Sequence, residues 1–387
     1  MAPFIKVVVD RNIPLVEKAF GSLGEVTAIN SDSFCAESVH DADALIIRSE
    51  TKVDRILLDG SNVKFVGTAT IGTDHIDLDY LASRRIAIAD AAGCNSNSVK
   101  EYVVSALLYL SQSMGYSFKG KTIGVVGVGN IGSKVVKVAE ALGINVLQND
   151  PPLARKTGNM RFVSLNELNS ADIVTVHVPL TRAGDDPTYQ LFDRDRLHKI
   201  KQGAIFINTS RGAIVETEAL KEVVAQKRLG AAIVDVWENE PKIDTELLSM
   251  VTIGTAHIAG YSLEGRINGM LMVCKKFCDF FGMKPDWNHT KELPPPEITD
   301  IKLIPQSETI ERIVHCVVER CYDISIDDTN LKRLSILPEK EQPGYFRKLR
   351  SVYRNRREFH NVTIQIPDEN KALADIFIAL GYGISKY

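Results

Sequence analysis

The sequence predicts an α/β fold in which two doubly wound parallel-sheet lobes are followed by a smaller C-terminal α+β domain. Short runs of β-branched and aliphatic residues alternate with helical segments up to residue 285, a pattern typical of parallel sheets covered by helices. A glycine-rich turn, Gly127–Gly132, joins one such strand to a helix. Three consecutive prolines, Pro294–Pro296, favour a semi-rigid connection to the C-terminal part.

Composition and charge limit the classes of function. The 387 residues exceed what one hydrophobic core usually holds, so about two or three domains are expected. Hydrophobic residues make up 44% and charged residues 25%, as in ordinary soluble proteins. The net charge of -3 gives no indication of binding to nucleic acid or to an acidic membrane. No apolar run approaches the length that spans a bilayer.

The start of the chain and its cysteines predict a cytoplasmic protein. Met1–Asp10 leads directly into a strand pattern, without the basic and apolar regions of a signal peptide. The six cysteines include no close CxxC pair, which is typical of buried thiols in a reducing compartment. Cys274 and Cys278 share a predicted helix face with Phe281 and indicate core packing, so no metal site is expected.

The first lobe is expected to be a doubly wound, flavodoxin-like domain without the dinucleotide signature, because its strand pattern lacks a GxGxxG turn. It is expected to be discontinuous, because a later helix returns to it. A long amphipathic helix from Ser98 to Met114 leads out of this lobe, and a helix from Leu263 to Phe281 returns to it. Strands are predicted at residues 5–10, 44–48, 65–68 and 86–89, with a helix near 15–20. The predicted division is a substrate (lid) domain over residues 1–95 and 258–285, a nucleotide-binding Rossmann domain over 96–257, and a C-terminal dimerisation domain over 286–387.

The glycine-rich turn predicts a dinucleotide site. Gly127 makes the tight turn, Gly129 lets the backbone approach a pyrophosphate, and Gly132 lets the helix lie close to the strand. The next strand ends at Asp150, where a ribose 2′-hydroxyl needs an acceptor. This carboxylate would repel a 2′-phosphate and favours NAD, although Arg155 leaves NADP open. Glycine turns also occur for packing alone, and the surrounding strand, helix and Asp150 favour the nucleotide interpretation.

Several polar residues follow predicted strands and are expected to lie at one edge of the second sheet. Ligands of such sheets bind beyond the carboxyl ends of the strands. The residues that this rule brings together are Asp150, Val178, Thr209, Ser210, Arg211, Asp235 and His257.

Three side chains at this edge predict a reaction centre. Arg211 has a guanidinium that can hold a carboxylate through two hydrogen bonds. His257 has the pKa range for proton exchange with an alcohol, and Glu240 can bond the other imidazole nitrogen and fix the tautomer. Each has an ordinary alternative, namely a surface ion pair, a structural histidine and a turn before Pro241. Their joint position beside a nucleotide fold favours catalysis.

The C-terminal part carries a basic segment within a predicted helix. The predicted elements beyond the prolines are an extended piece, a helix, the basic helix, a strand and a final helix, over residues 298–304, 308–321, 345–358, 362–366 and 371–380. The basic residues are Arg347, Lys348, Arg350, Arg354, Arg356 and Arg357. A solvated helix face is the usual explanation of such a run, and contact with a second subunit is the alternative.

The motifs together resemble the D-isomer-specific 2-hydroxyacid dehydrogenases. The resembling segments are the glycine turn, Asn208–Gly212, Asp235–Pro241 and His257–Tyr261. The resemblance implies that Arg211, Glu240 and His257 are catalytic and that NAD exchanges a hydride with C2 of a 2-hydroxy acid. The implied NAD contacts are Gly127, Gly129, Asn130, Ile131, Gly132, Asp150, Val178, Thr209, Ser210, Arg211, Asp235 and Gly260.

A narrower resemblance is to the branch of this family that acts on a four-carbon 2-hydroxy acid with a terminal phosphate. The C-terminal part is its specific feature, because most relatives stop near Phe281. The branch is homodimeric through this part, and one of the basic residues is expected to reach the partner's substrate phosphate. The implied substrate contacts are Ser49, Thr70 and Tyr261. Arg48 is a further candidate for the phosphate, with an ion pair at the domain surface as its alternative.

Two other functions stay open at this point. The nearest is oxidation of another phosphorylated hydroxy acid, such as D-3-phosphoglycerate, or of a different D-2-hydroxy acid. The other, from a different class, is an NAD-sensing binding protein, because transcriptional corepressors reuse this fold. The presence of Arg211, Glu240 and His257 favours an enzyme.

Overall fold

The computed structural model describes residues 5–285, 287, 289–304, 308–368 and 370–387; Met1–Phe4, which precede the first strand, lie outside the described residues. The chain forms two compact units, which we call the first unit (Met1–Asn95 with Ser262–Pro295) and the second unit (Ser96–Tyr261 with Pro296–Tyr387). The C-terminal segment thus belongs to the same unit as the predicted nucleotide-binding sheet. The division into three domains stays a prediction.

The first unit contains a parallel five-stranded sheet with the order β2-β1-β3-β4-β5. This is the flavodoxin-like order of doubly wound sheets, as predicted. The edge strand β2, which is partly exposed, is an addition to the predicted strands. The elements of the first unit up to residue 95 are, in chain order, β1 (Lys6–Asp10), α1 (Val16–Gly21), β2 (Glu25–Ile29), α2 (Ala36–Val39), β3 (Ala44–Ile47), α3 (Arg55–Leu58), β4 (Phe65–Thr68), α4 (Leu78–Ser83) and β5 (Ala87–Ala89).

The second unit is built on a six-stranded parallel sheet with the order β11-β10-β9-β8-β6-β7. A single parallel bridge between Gln148 and Phe162 continues the sheet beyond β7, which completes the Rossmann order. The predicted fold class is therefore confirmed. The elements are α5 (Ser96–Met114), β6 (Thr122–Val126), α6 (Gly132–Ala141), β7 (Asn145–Asn149), α7 (Pro151–Thr157), β8 (Ile173–Val176), α8 (Arg194–Lys199), β9 (Ala204–Asn208), α9 (Thr217–Ala225), β10 (Leu229–Val234), α10 (Thr245–Met250) and β11 (Ile253–Gly254).

The chain returns to the first unit through α11 (Leu263–Phe281), whose bounds agree with the prediction. The Ser262 hydroxyl caps this helix by accepting the Gly265 N–H at 2.8 Å. The helix packs on β4 so closely that a Cβ at Gly67 would lie 2.3 Å from Val273. Phe277 is fully buried there. Because β3 and β4 are buried on both faces of the sheet, their sequences are continuous apolar runs.

The C-terminal segment of the second unit adds a three-stranded parallel sheet, β12-β13-β14. Its buried Val314 and Phe377 share one apolar core with Tyr102 of α5 and with the strands of the larger sheet. The elements are β12 (Asp300–Lys302), α12 (Ile310–Cys321), α13 (Ile324–Lys332), α14 (Gln342–Ser351), β13 (Thr363–Ile366), α15 (Lys371–Leu380) and β14 (Gly383–Lys386). Within the described residues, none of these helices has the length and apolar character needed to cross a membrane.

The predicted basic helix over residues 345–358 is wrong in its second half, because α14 ends at Ser351. The following residues bond to other parts of the second unit instead. The Tyr353 hydroxyl donates to Asp327 at 2.7 Å. The buried Arg356 donates to the carbonyl oxygens of Ser98 and Ala259 at 3.1 and 2.7 Å. These tertiary contacts favour an extended segment over continued helix.

Candidate active site

The glycine turn lies between β6 and the N-terminus of α6. Gly127 has a φ of +84°, and a Cβ there would lie 2.6 Å from the His177 carbonyl oxygen. At Gly132 a Cβ would lie 1.9 Å from the Gly127 carbonyl oxygen. Gly129 differs, since a Cβ there would meet no heavy atom within 4 Å. Packing therefore explains two of the glycines, whereas Gly129 leaves the backbone accessible to a ligand such as a pyrophosphate.

Asp150 lies next to this turn and holds it in place. One carboxylate oxygen accepts the Val128 N–H at 2.8 Å, and the other caps α7 by accepting the Leu153 N–H at 2.9 Å. The carboxylate is partly exposed beside the glycines, where a ribose hydroxyl of NAD would find its acceptor. The turn and Asp150 thus fit the dinucleotide that the sequence predicts.

Val178, Thr209 and Ser210 lie at the carboxyl ends of β8 and β9. The Val178 side chain packs over the turn, since a Cβ at Gly127 would lie 2.7 Å from it. Ser210 is buried and donates its hydroxyl to the Val176 carbonyl oxygen at 2.6 Å, which ties β9 to β8. Their predicted contacts with NAD stay predictions.

His177 is a second histidine at this edge, and no role is predicted for it from the sequence. Its Nε2 lies 2.9 Å from the Thr175 hydroxyl, and its Nδ1 lies 3.3 Å from the Thr209 hydroxyl. Burial lowers its pKa to about 3, so the ring is neutral at physiological pH. A polar residue directly after a buried strand was the signal in the sequence that marks this position.

The three predicted catalytic residues follow three neighbouring strands of the second unit. Arg211 follows β9, Glu240 follows β10, and His257 follows β11. The carboxyl ends of these parallel strands lie at one edge of the sheet, so the loops that carry the three residues are adjacent.

Glu240 and His257 form a direct pair. The His257 Nδ1 lies 2.7 Å from one carboxylate oxygen of Glu240, and the other accepts the Trp237 N–H at 2.8 Å. Burial alone would raise the pKa of Glu240. The charge of His257 and these hydrogen bonds outweigh burial and lower that pKa, so the carboxylate stays ionised. Because Nδ1 faces Glu240, Nε2 is the nitrogen that can exchange a proton with a substrate.

The loop of Arg211 packs against the loop of Glu240. A Cβ at Gly212 would lie 2.0 Å from the backbone carbon of Trp237, so only glycine permits this approach. The Asn208 side chain donates to the Arg211 carbonyl oxygen at 3.0 Å, and the Arg211 guanidinium donates to the Ser210 carbonyl oxygen at 2.9 Å. The close approach at Gly212 places the loop of Arg211 next to the segment that carries Glu240, and the two hydrogen bonds hold the Arg211 loop in shape.

Asp235 anchors the loop that carries His257. Its carboxylate is buried and accepts the Thr255 hydroxyl at 2.6 Å and the N–H groups of Ile258 and Ala259 at 2.8 and 3.0 Å. Because Thr255 uses its proton for Asp235, the Tyr102 hydroxyl donates to Thr255 at 2.7 Å. The same loop holds His257 at a φ of 54°, an uncommon conformation for a histidine. Asp235 therefore positions His257, and its predicted contact with NAD stays a prediction.

Gly260 and Tyr261 end this loop, and Tyr261 meets the C-terminal segment. Arg350 of α14 donates to the Tyr261 hydroxyl at 2.9 Å. Its guanidinium carbon lies 5.3 Å from the centroid of the Tyr261 ring. Gly260, a predicted NAD contact, is partly exposed beside them. The contact of Arg350 with Tyr261 was not predicted from the sequence, and the predicted reach of a basic residue to the partner's substrate phosphate stays a prediction.

The remaining predicted substrate residues lie in the first unit, at the carboxyl ends of β3 and β4. Arg48 forms ion pairs with Asp10 at 3.0 Å and Glu50 at 3.3 Å. Ser49 is exposed, and the Thr70 hydroxyl lies 2.9 Å from that of Thr68. The Arg48 arrangement resembles the ion-pair alternative, and its contact with a phosphate stays a prediction, as do those of Ser49 and Thr70 with the substrate.

Comparison with known proteins identifies the class. Residues 84–259 match the family described as D-isomer specific 2-hydroxyacid dehydrogenase, NAD binding domain. Residues 292–381 match a domain of unknown function (DUF3410). A structure of NAD-bound 3-phosphoglycerate dehydrogenase from Entamoeba histolytica is similar at 25% identity and a TM-score of 0.63, over 72% of this chain and 96% of that one.

Two relatives match nearly the whole chain. A protein of Cronobacter sakazakii named erythronate-4-phosphate dehydrogenase is 41% identical over 99% of each chain. Its namesake in Bacteroides fragilis is 45% identical over 92% of this chain and 97% of its own. The chain therefore belongs to the D-isomer specific 2-hydroxyacid dehydrogenases and, within them, to the erythronate-4-phosphate dehydrogenase family. It is an NAD-dependent oxidoreductase.

Proposed function

We propose that this enzyme oxidises 4-phospho-D-erythronate at C2 with NAD, which yields (R)-3-hydroxy-2-oxo-4-phosphooxybutanoate for the synthesis of pyridoxal 5′-phosphate (vitamin B6). The observation that carries the chemistry is the 2.7 Å pair of His257 and Glu240 beside the loop of Arg211. The relatives named for this substrate match the chain through its C-terminal segment, which supports the choice of substrate.

The residues of the second unit suffice to describe the proton transfer. His257 accepts the proton of the C2 hydroxyl at Nε2, and the resulting imidazolium is stabilised at Nδ1 by the ionised Glu240. Arg211 binds the substrate carboxylate and polarises the forming carbonyl. Bound NAD supplies the acceptor for the hydride that leaves C2. Proton and hydride together carry off the two electrons and two hydrogens of the oxidation.

Oxidation of D-3-phosphoglycerate is the second candidate, because a 25% identical structure carries that name. Both acids should be assayed with NAD by the absorbance of reduced nicotinamide, with His257→Asn as a control prepared in parallel. We expect a kcat/KM at least about tenfold higher for 4-phospho-D-erythronate. A preference for D-3-phosphoglycerate, or equal turnover by His257→Asn, would contradict the proposal. NAD binding without turnover of any 2-hydroxy acid would favour the sensing alternative.

We also infer that the protein is a cytoplasmic homodimer that uses the C-terminal segment as its interface. Ile336 and Val352 of this segment are 83% and 68% exposed and are therefore accessible for contact with a second subunit. All six cysteines are free thiols, as expected in a reducing compartment. Light scattering of the purified protein tests the dimer, and Val352→Glu should weaken it. A monomeric wild-type protein would contradict the inference.

A further inference from the structure

Arg350 is the C-terminal residue that meets the loop of His257. It lies in α14, far along the chain from the catalytic residues, yet its Nη2 is 2.9 Å from the hydroxyl oxygen of Tyr261. Tyr261 follows His257 in the same loop, and its N–H bonds to the Ile258 carbonyl oxygen at 2.9 Å. The C-terminal segment therefore contributes a charged side chain to the end of the loop that carries the proton acceptor.

The direction of this hydrogen bond determines what the Tyr261 hydroxyl can do. A guanidinium has donors and no acceptor, so the phenol oxygen must accept the bond. The proton of the hydroxyl then points away from Arg350 and can be donated to another group. An oxygen anion of a substrate is the partner that such a donor binds most strongly.

The Tyr261 ring is held from two sides. The Arg350 guanidinium carbon lies 5.3 Å from the ring centroid, within the range of a cation–π contact. The Tyr353 ring packs edge-on against it, with centroids 6.1 Å apart and an interplanar angle of 81°. These contacts orient the hydroxyl before a substrate arrives, so less freedom is lost on binding.

Arg350 also acts on the catalytic carboxylate. Burial by itself raises the pKa of Glu240, and His257 makes the largest contribution in the opposite direction. The positive charge of Arg350 adds to that lowering, which places it within electrostatic reach of the pair.

We propose that Arg350 is a positioning residue of the active site, which fixes the Tyr261 hydroxyl so that it donates a hydrogen bond to an anionic oxygen of the substrate. This inference deepens the proposed function and rests on it. It assigns a role in catalysis to a segment whose family has no assigned function. The role requires contacts within the second unit of a single chain.

A double-mutant cycle tests the proposal. Arg350→Gln, Tyr261→Phe and the double variant are compared with the wild type at saturating NAD, with 4-phospho-D-erythronate as substrate. We expect each single change to raise KM about tenfold, which corresponds to one well-made hydrogen bond of about 1.4 kcal/mol. Because Arg350 acts on substrate binding through Tyr261, the KM of the double variant should be no higher than that of the poorer single variant.

Conservative and control variants separate positioning from folding. Arg350→Lys keeps a donor and a positive charge and should recover part of the loss in KM. Arg320→Gln removes an exposed arginine of the same segment and should leave KM unchanged. The dissociation constant of NAD and the thermal midpoint should stay at wild-type values in all of them. Where Arg350→Gln unfolds, Arg350→Met, which keeps the length of the side chain and removes its donors, takes its place in the cycle.

Two results would overturn the inference. One is an unchanged KM in Arg350→Gln, and the other is a pair of losses that multiply in the double variant, since Arg350 would then act independently of Tyr261. Failure of the proposed function has a different signature, namely a wild-type enzyme that prefers another 2-hydroxy acid. The same cycle, run on that acid, then still tests Arg350.

Discussion

Two histidines at the carboxyl edge of the larger sheet differ in the groups that their ring nitrogens meet. His177 is bounded by the hydroxyls of Thr175 and Thr209, and burial keeps it neutral. His257 has its Nδ1 2.7 Å from the carboxylate of Glu240. The same residue type is thus a neutral structural group in one place and the proposed proton acceptor in the other.

The pair of Glu240 and His257 predicts the effect of an isosteric change. In Glu240→Gln the amide oxygen can still accept the Trp237 N–H, which turns the NH2 group toward the His257 Nδ1. Nδ1 must then accept, so Nε2 carries the proton and can no longer take one from the substrate. We expect kcat to fall by about 10²–10⁴-fold with little change in NAD binding.

Glu238→Gln is the matched control for this change, because Glu238 lies in the same loop and accepts the Thr217 hydroxyl at 2.8 Å. Steady-state kinetics of both variants provide the measurement. Equal activity in Glu240→Gln and the wild type would show that the carboxylate does not set the tautomer of His257.

His177 predicts a loss of stability in acid. Its pKa is about 3 in the folded protein and 6.5 for the ordinary group, so between these values the unfolded chain binds a proton that the folded protein does not. The free energy of unfolding should therefore fall as pH decreases from 6.5 toward 3. His177→Asn should show a shallower fall, measured by urea unfolding at several pH values. A wild-type slope in His177→Asn would refute the assignment.

At the scale of elements, the loops after β6 and β9 depend on glycines for different reasons. A Cβ at Gly132 or Gly212 would lie only 1.9 or 2.0 Å from a backbone atom of another segment, so these glycines permit close backbone contacts. Gly129 has no such neighbour within 4 Å. The motif in the sequence therefore combines positions required by the fold with one that is explained by an approaching ligand.

This difference predicts opposite outcomes for two alanine substitutions. Gly132→Ala forces α6 away from the turn and should lower the free energy of unfolding by about 1–3 kcal/mol. Gly129→Ala should leave the thermal midpoint unchanged and weaken NAD binding about tenfold, because the methyl group occupies the approach to the backbone. Thermal unfolding and titration with NAD measure the two effects. Destabilisation by Gly129→Ala without loss of NAD affinity would contradict this division of roles.

At the scale of the whole molecule, the C-terminal segment is part of the core of the second unit. The match with the Entamoeba histolytica structure covers 96% of that chain but only 72% of this one. A dehydrogenase of this fold can therefore exist with a shorter chain. Here Val314, Phe346 and Phe377 are fully buried or nearly so in the core that includes Tyr102. The buried Arg356 also holds the Ala259 carbonyl oxygen of the catalytic loop.

Removal of the chain beyond Pro295 should therefore cost stability as well as activity. The truncated protein would expose the apolar surface of α5 and lose the contacts of Arg350 and Arg356. We expect a lower thermal midpoint, binding of a dye for exposed apolar surface, and no turnover. A truncated chain that keeps the wild-type midpoint would show that the segment is a separable domain, as the sequence suggested.

Much of the site was predictable because its residues follow strands within short distances in sequence. The glycine turn, Asp150 and the residues after β9, β10 and β11 have local signatures, and the return helix 263–281 has clear periodicity and caps. The hydrogen bonds of Tyr102 and Asp235 with Thr255 were not predictable, because these residues are far from Thr255 in the sequence and no spacing indicates the contacts. The end of α14 was mispredicted since tertiary bonds of Tyr353 and Arg356 replaced helical ones.

By itself, the sequence determined the fold class and the glycine turn, and it indicated the three proposed catalytic side chains, because each of these has a signature in residues that are close together in the sequence. The tertiary structure decided which distant groups orient them: Asp235 under the His257 loop, and Arg350 on Tyr261. The physical reason is that hydrogen bonds and packing act over a few ångströms in space, and only the folded chain brings these residues that close.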